Sequence, residues 1–201
     1  EETAHIMEHM AFGANARFRD AAEYDAEFTK NGAYFNATTA DYSMVYMTDC
    51  ADFEWDRILE LQQLSITKPR FIEEELRSEA GNVRNELNGY LNNHMWILWS
   101  KMAQVLGEDV LTWAERVKTI NNVSLADIRE HYKRTHTLAN MRFVIAGDIT
   151  GRESKIESML EGWELPEGER LSIPVDELHR ADPLVIKRKE ATNFTFGWSM
   201  V

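Results

Sequence analysis

His5-Ile6-Met7-Glu8-His9 sets two histidines four residues apart with a glutamate just before the second. On a helix, residues four apart lie on one face a turn from each other, so both imidazoles can reach a single metal ion. Glu8, three residues on from His5, stands at the edge of that face. A carboxylate there can take a proton from a metal-activated water without ligating the metal itself. The order H-x-x-E-H is the reversed zincin arrangement. A catalytic zinc keeps three protein ligands and leaves one position for water, so a third ligand, normally a carboxylate, must come from elsewhere. A structural metal site would instead be closed by a fourth protein ligand and would have no use for Glu8.

Carboxylates for that third position are abundant in Glu73, Glu74, Glu75, Glu79 and Glu86, most of which read as a solvated helix face. Glu79 and Glu86 are seven apart, two helical turns, and share a face. Only that pair could present two carboxylates to one site. Between His9 and Glu86 lie 76 residues (86 − 9 − 1).

With that spacing the sequence resembles the pitrilysin and insulin-degrading metallopeptidase family, which includes the mitochondrial processing peptidases. The family pattern is H-x-x-E-H followed by a glutamate after about 76 residues. His9-Met10-Ala11-Phe12 resembles the family's H-M-x-F, and Asn36-Ala37-Thr38-Thr39 with Tyr46 resembles its N-A-x-T strand followed by an aromatic. Ser124-Leu125-Ala126-Asp127-Ile128 and Val144-Ile145-Ala146-Gly147-Asp148-Ile149 resemble its later helix and G-D strand end, so the likeness covers nearly the whole chain. It implies zinc as cofactor with His5, His9 and Glu86 as ligands and Glu8 as general base. It also implies Glu79 as an additional acidic residue supporting the site, and substrate pairing by β-augmentation along Asn36, Ala37 and Thr38. The sequence departs from the pattern where Gly13-Ala14 replaces a lysine-containing segment, and in lacking the strands usual before the motif. The family's substrate-contacting Arg and Tyr, which come from a partner domain, have no counterpart here.

Composition narrows the alternatives. With 22 Lys and Arg against 34 Asp and Glu the formal charge is −12, a field that repels phosphate backbones and anionic membrane surfaces. No nucleic-acid partner is expected, and the same balance suggests a preference for basic peptides. Cys50 is the only cysteine, which excludes an intramolecular disulfide and leaves the compartment open. No run of about 18 apolar residues exists, so no membrane insertion is expected. The chain reads as soluble, in a bacterial cytoplasm or periplasm or an organelle interior. Its abrupt start at Glu1 without a Met, and its end in the alternating run Asn193 to Val201, suggest a fragment at both ends.

The elements that must position these residues follow from periodicity and punctuation. Helices are expected over Glu2 to Phe12, Ala21 to Lys30, Phe53 to Ile66 and Leu125 to His136, the last capped by Ser124. A long helical signal covers Phe71 to about Val105, a polar helical connection Gly107 to Val123, and a further helix Arg152 to Trp163. Strands are expected over Ala33 to Thr39 and Ser43 to Thr48 as a hairpin, then over Met141 to Ala146, Pro183 to Glu190 and Thr192 to Val201. Tyr34 and Phe35 read as core, with substrate contact the lesser expectation; Trp96, Trp99 and the Met-rich stripe read as core. His94, His131, His136 and His179 read as ordinary histidines.

The fold class is α+β, a mostly antiparallel sheet with helices packed on one face. Residues 1–165 would form the zinc-bearing domain, 166–182 a linker, and 183–201 the start of a second homologous domain. The expected function is that of a zinc-dependent endopeptidase cleaving peptides or unfolded polypeptides, its chamber completed by a second homologous domain or subunit. The alternative is a non-catalytic homologous subunit or scaffold, a type that usually loses one of the five metal-site residues; all five are present.

Overall fold

The computed structural model describes residues 2–189 and 191–199. In order, the elements are α1 (Glu2–Ala11), α2 (Ala21–Thr29), β1 (Tyr34–Thr39), β2 (Met44–Asp49), α3 (Trp55–Thr67), α4 (Glu73–Leu91), α5 (His94–Leu106), α6 (Trp113–Thr119), α7 (Leu125–Thr135) and α8 (Glu153–Glu161), with short 3-10 turns before α3 and after α6. Helices combined with one antiparallel hairpin make the fold α+β. The described residues divide into two compact units, residues 3–79 with 123–172 and residue 2 with 80–122, 173–189 and 191–199. The division falls inside α4, which is one continuous helix.

In the first unit, α2 starts where Asp20 accepts a bond from the Glu23 amide, satisfying one of the orphan donors of a helix start. Its Tyr24 and Phe28, one turn apart, are fully buried and pack with Ala33, Ile58 and Leu61, flanked by Phe12, Phe18, Phe35 and Leu64. Burying each large side chain contributes about 1.5–3 kcal/mol. The Tyr24 hydroxyl donates to the Leu61 carbonyl at 2.6 Å, so the ring enters the core with its polar tip satisfied. α3 ends just before Pro69, which cannot donate to a helical ladder. Residues after it lace to the loop behind α1, through Ala16 N–H to Lys68 O at 3.1 Å and Arg70 N–H to Ala14 O at 2.9 Å.

β1 and β2 pair antiparallel with Asn36 opposite Met47 and Thr38 opposite Val45. The Ala40 amide donates to the Ser43 carbonyl at 2.8 Å. Counting back by twos, Thr38 and Asn36 direct their backbone groups to β2, while Phe35, Ala37 and Thr39 direct theirs away from it.

The second unit holds the rest of α4 with α5, α6 and the segment from Ile173. The single long helix expected from Phe71 to Val105 is two helices. Asn93 accepts from the amides of Met95 and Trp96 and caps a new start, a role that asparagine's short side chain favours over continuing a helix. α5 buries none of its residues; Trp96 and Trp99 are exposed, so the expected core placement of these tryptophans is corrected. α6 opens with a capping box between Thr112 and Glu115.

Three expected strands are absent among the described residues. Met141–Ala146, 183–189 and 192–199 are irregular, while Glu190, Met200 and Val201 lie outside them. A strand needs a neighbour to pair its amides and carbonyls, and β1 with β2 is the only ladder among the described residues. Apolar alternation therefore does not suffice: Val144 and Phe194 stand 91% and 86% exposed.

Candidate metal centre

α1 turns Ile6, Met7, Met10 and Ala11 into the interior. The motif occupies the adjoining part of the same helix and is buried with it: His5 and Glu8 are each 8% exposed. The two imidazoles meet edge to face with centroids 5.1 Å apart. His9 Nδ1 lies 3.0 Å from Glu79 Oε2 on α4. An ionised carboxylate only accepts, so this contact puts the proton on Nδ1 and the lone pair on Nε2, the arrangement of a histidine ligand oriented by an outer carboxylate.

Glu86 follows Glu79 by two turns of α4, on the same face. His5, His9 and Glu86 each offer one candidate ligand atom. Two imidazole nitrogens and one carboxylate oxygen fit the donor set of a catalytic zinc. It is the only such group of His, Cys, Asp and Glu among the described residues. Of the other acidic candidates, Glu73 and Glu74 are exposed. Glu75 is not part of that solvated face: its Oε1 accepts from the Ala14 amide at 2.7 Å and its Oε2 is buried without a partner. Burial, with Glu79 nearby, pushes the Glu75 carboxyl above its usual range.

Glu8 accepts a hydrogen bond from the Thr39 hydroxyl, which ties the end of β1 to the motif. Asn36 and Thr38 are exposed and Ala37 is buried; the Ala37 amide donates to the Asn36 side-chain oxygen at 2.9 Å. Phe35 packs into the core against Phe28 and Phe12, centroids 4.7 and 4.8 Å away, while Tyr34 is 55% exposed. The core expectation thus holds for Phe35 and not for Tyr34.

Behind the hairpin, His136 is 6% exposed. Thr135 donates its hydroxyl to the His131 carbonyl at 2.8 Å, so at 3.0 Å from His136 Nδ1 it must accept. His136 Nε2 is then the acceptor for the Tyr46 hydroxyl, also at 3.0 Å. Nε2 thus joins the hairpin to the end of α7, while Nδ1 is held by Thr135 within that same end. Burial pushes this imidazole down to about 4.

Tyr90 escaped the reading of the sequence as a site residue, and Thr39 entered it only as the end of the Asn36 to Thr39 strand, not as a partner of Glu8. Tyr90 stands four residues after Glu86 and donates to its Oε1; helical spacing alone could have found it. Thr39 reaches Glu8 only through the fold.

The model of the insulinase family, peptidase family M16, matches residues 3–109, more than half of the chain. The chain belongs to the insulinase family. Among its relatives is the mitochondrial-processing peptidase subunit beta of Mus musculus, 28% identical over 138 residues that cover 65% of this chain and 28% of that protein. Another is a zinc protease PQQL-like protein of Arabidopsis thaliana, 29% identical over 175 residues, 77% of this chain and 17% of that one. The chain therefore spans little more than a quarter of the processing-peptidase subunits it matches. A protease from Helicobacter pylori shares the fold with TM-score 0.73 and 19% identity over 87% of this chain and 43% of that chain. The first half of the periplasmic protease PqqL from Escherichia coli shares it with TM-score 0.65 and 19% identity over 86% and 39%. No helix among the described residues of this insulinase-family chain is long and apolar enough to cross a membrane.

Proposed function

We propose that the chain carries the zinc centre of an endopeptidase that cleaves peptides or unfolded polypeptides. What carries the reading is the donor set itself, His5 and His9 on one face of α1 with Glu86 as the carboxylate, His9 being oriented by Glu79. His5, His9 and Glu86 would hold the ion. Bound zinc supplies Lewis acidity, which lowers the pKa of water and polarises a scissile carbonyl.

The protein's own groups do the rest. Glu8 accepts a proton as water adds to the peptide carbonyl, then delivers it to the amine as the C–N bond breaks. Thr39 holds the Glu8 carboxylate by one oxygen. Glu79 fixes the His9 ring. An extended substrate would add along the β1 edge at Asn36, Ala37 and Thr38, where Ala37 turns its backbone groups away from β2. For that, the Asn36 side chain must release the Ala37 amide. A second homologous domain or subunit would complete the chamber, and residues 166–182 would link toward it.

Metal content and cleavage of a quenched peptide, measured on the protein and its Glu8→Gln variant, test this. One zinc per chain in both, with hydrolysis lost in the variant, is the expected outcome. Zinc without cleavage in either would favour a non-catalytic subunit, and absence of zinc would overturn the site.

A further inference from the structure

Glu86 is followed one turn later by Tyr90, in the last turn of α4, and residues four apart on a helix are neighbours. The Tyr90 hydroxyl donates to Glu86 Oε1. The phenol ring is itself held by two indoles: Trp96 of α5, centroids 5.2 Å apart at 46°, and Trp113 of α6, 4.7 Å apart at 51°. The indoles are fixed to each other, edge to face at 5.9 Å. Trp113 Nε1–H donates to the Trp96 carbonyl at 2.9 Å. The Trp113 ring also carries the Arg116 guanidinium at 4.7 Å, and Arg116 is paired with the fully buried Glu2.

This explains why a helix with no buried residue carries Trp96: it forms a wall of a tyrosine clamp. It also explains the break at Asn92-Asn93. Continued straight, α4 would move each residue after Tyr90 1.5 Å further along the axis. The capped restart at Asn93 brings Trp96 back onto the ring.

We propose that Tyr90, clamped by Trp96 and Trp113, is a positioning residue that orients the Glu86 carboxylate for metal binding. The inference rests on the metal-centre reading and deepens it. A glutamate has three side-chain torsions, and a ligand free to rotate must be ordered when the ion binds. A phenol fixed on one carboxylate oxygen removes much of that freedom beforehand. Outer partners of this kind commonly change metal affinity by about 10–100-fold when removed.

The test is Tyr90→Phe, which keeps the ring in its clamp and removes only the hydroxyl. Zinc affinity is measured by chelator competition on the wild type, Tyr90→Phe and Trp113→Phe, alongside the absorption spectrum of the cobalt-loaded protein and the melting temperature of the metal-free protein. Tyr90→Phe is expected to weaken zinc binding at least about tenfold and to shift the cobalt bands, with the metal-free melting temperature unchanged. Trp113→Phe, which loosens the clamp, is expected to weaken binding in the same direction. Wild-type affinity in Tyr90→Phe overturns the role of Tyr90 and leaves the metal centre standing. Weaker binding matched by a lowered metal-free melting temperature overturns it in favour of a purely structural tyrosine. No zinc bound by the wild type overturns both readings.

Discussion

His9 and Glu79 face each other across α1 and α4 with Nδ1 3.0 Å from Oε2, so one carboxylate sets both the tautomer and the ring plane of the second histidine of the motif. Removing it leaves the ring to choose among rotamers and tautomers before it can bind an ion. Glu79→Ala is therefore expected to lower zinc affinity by about 10–100-fold. Glu79→Gln, which can still accept from Nδ1–H, should lose less. Chelator competition measures both, and an unchanged affinity in Glu79→Ala would rule out the orienting role.

Thr39 offers a separate handle on Glu8, because its hydroxyl donates to the carboxylate without belonging to the ligand set. Thr39→Val keeps the branched shape of a strand residue and deletes the donor. Turnover is expected to fall about tenfold, the rate equivalent of one hydrogen bond of roughly 1.4 kcal/mol, with zinc content unchanged. Steady-state kinetics with metal analysis decide it; full turnover in the variant removes Thr39 from the mechanism.

Glu75 joins the loop behind α1 to α4 through the Ala14 amide, and its carboxyl is raised mainly by burial. A raised carboxyl means that the folded state holds its proton more tightly than the unfolded state. Its contribution is present at low pH and declines as pH rises from the usual carboxylate range through the folded value. Glu75→Gln keeps an oxygen for Ala14 and removes the ionisation. The variant is expected to be as stable as the parent at pH 4 and more stable at pH 7, by urea denaturation. Greater loss at pH 7 than at pH 4 contradicts this.

His136 works in the opposite direction. Its folded value is pushed down to about 4 by burial, below the unfolded value near 6.5, so the unfolded state binds the proton first. Stability is complete above about pH 6.5 and falls as pH drops toward 4, by roughly 3 kcal/mol if the whole shift is expressed. His136→Gln, whose amide oxygen can still accept from Tyr46, should flatten the slope between pH 6.5 and 4.5. Parallel unfolding curves for both proteins across that range would remove His136 as the cause.

Much of the centre was legible in the chain itself. A helix repeats every 3.6 residues, so the four-residue step from His5 to His9 and the seven-residue step from Glu79 to Glu86 assign faces without further information. The turn chemistry of Ser124 and Pro69 marks helix ends for equally local reasons. Other features depended on which surfaces meet. Thr39 reaches Glu8 because the hairpin docks on α1, and Glu75 leaves the solvated face because the loop at Ala14 covers it. Trp96 and Trp113 flank Tyr90 only because α4 stops at Leu91 and α5 begins afresh at His94. The alternating runs after residue 140 show the same limit from the other side. Residue type and spacing fix what a segment can present, but a strand is completed by hydrogen bonds to a neighbour that its own residues do not specify. Helical spacing therefore grouped the two histidines on one face and the two glutamates on another, the family resemblance implied their roles, and tertiary packing alone decided the groups that hold them in place.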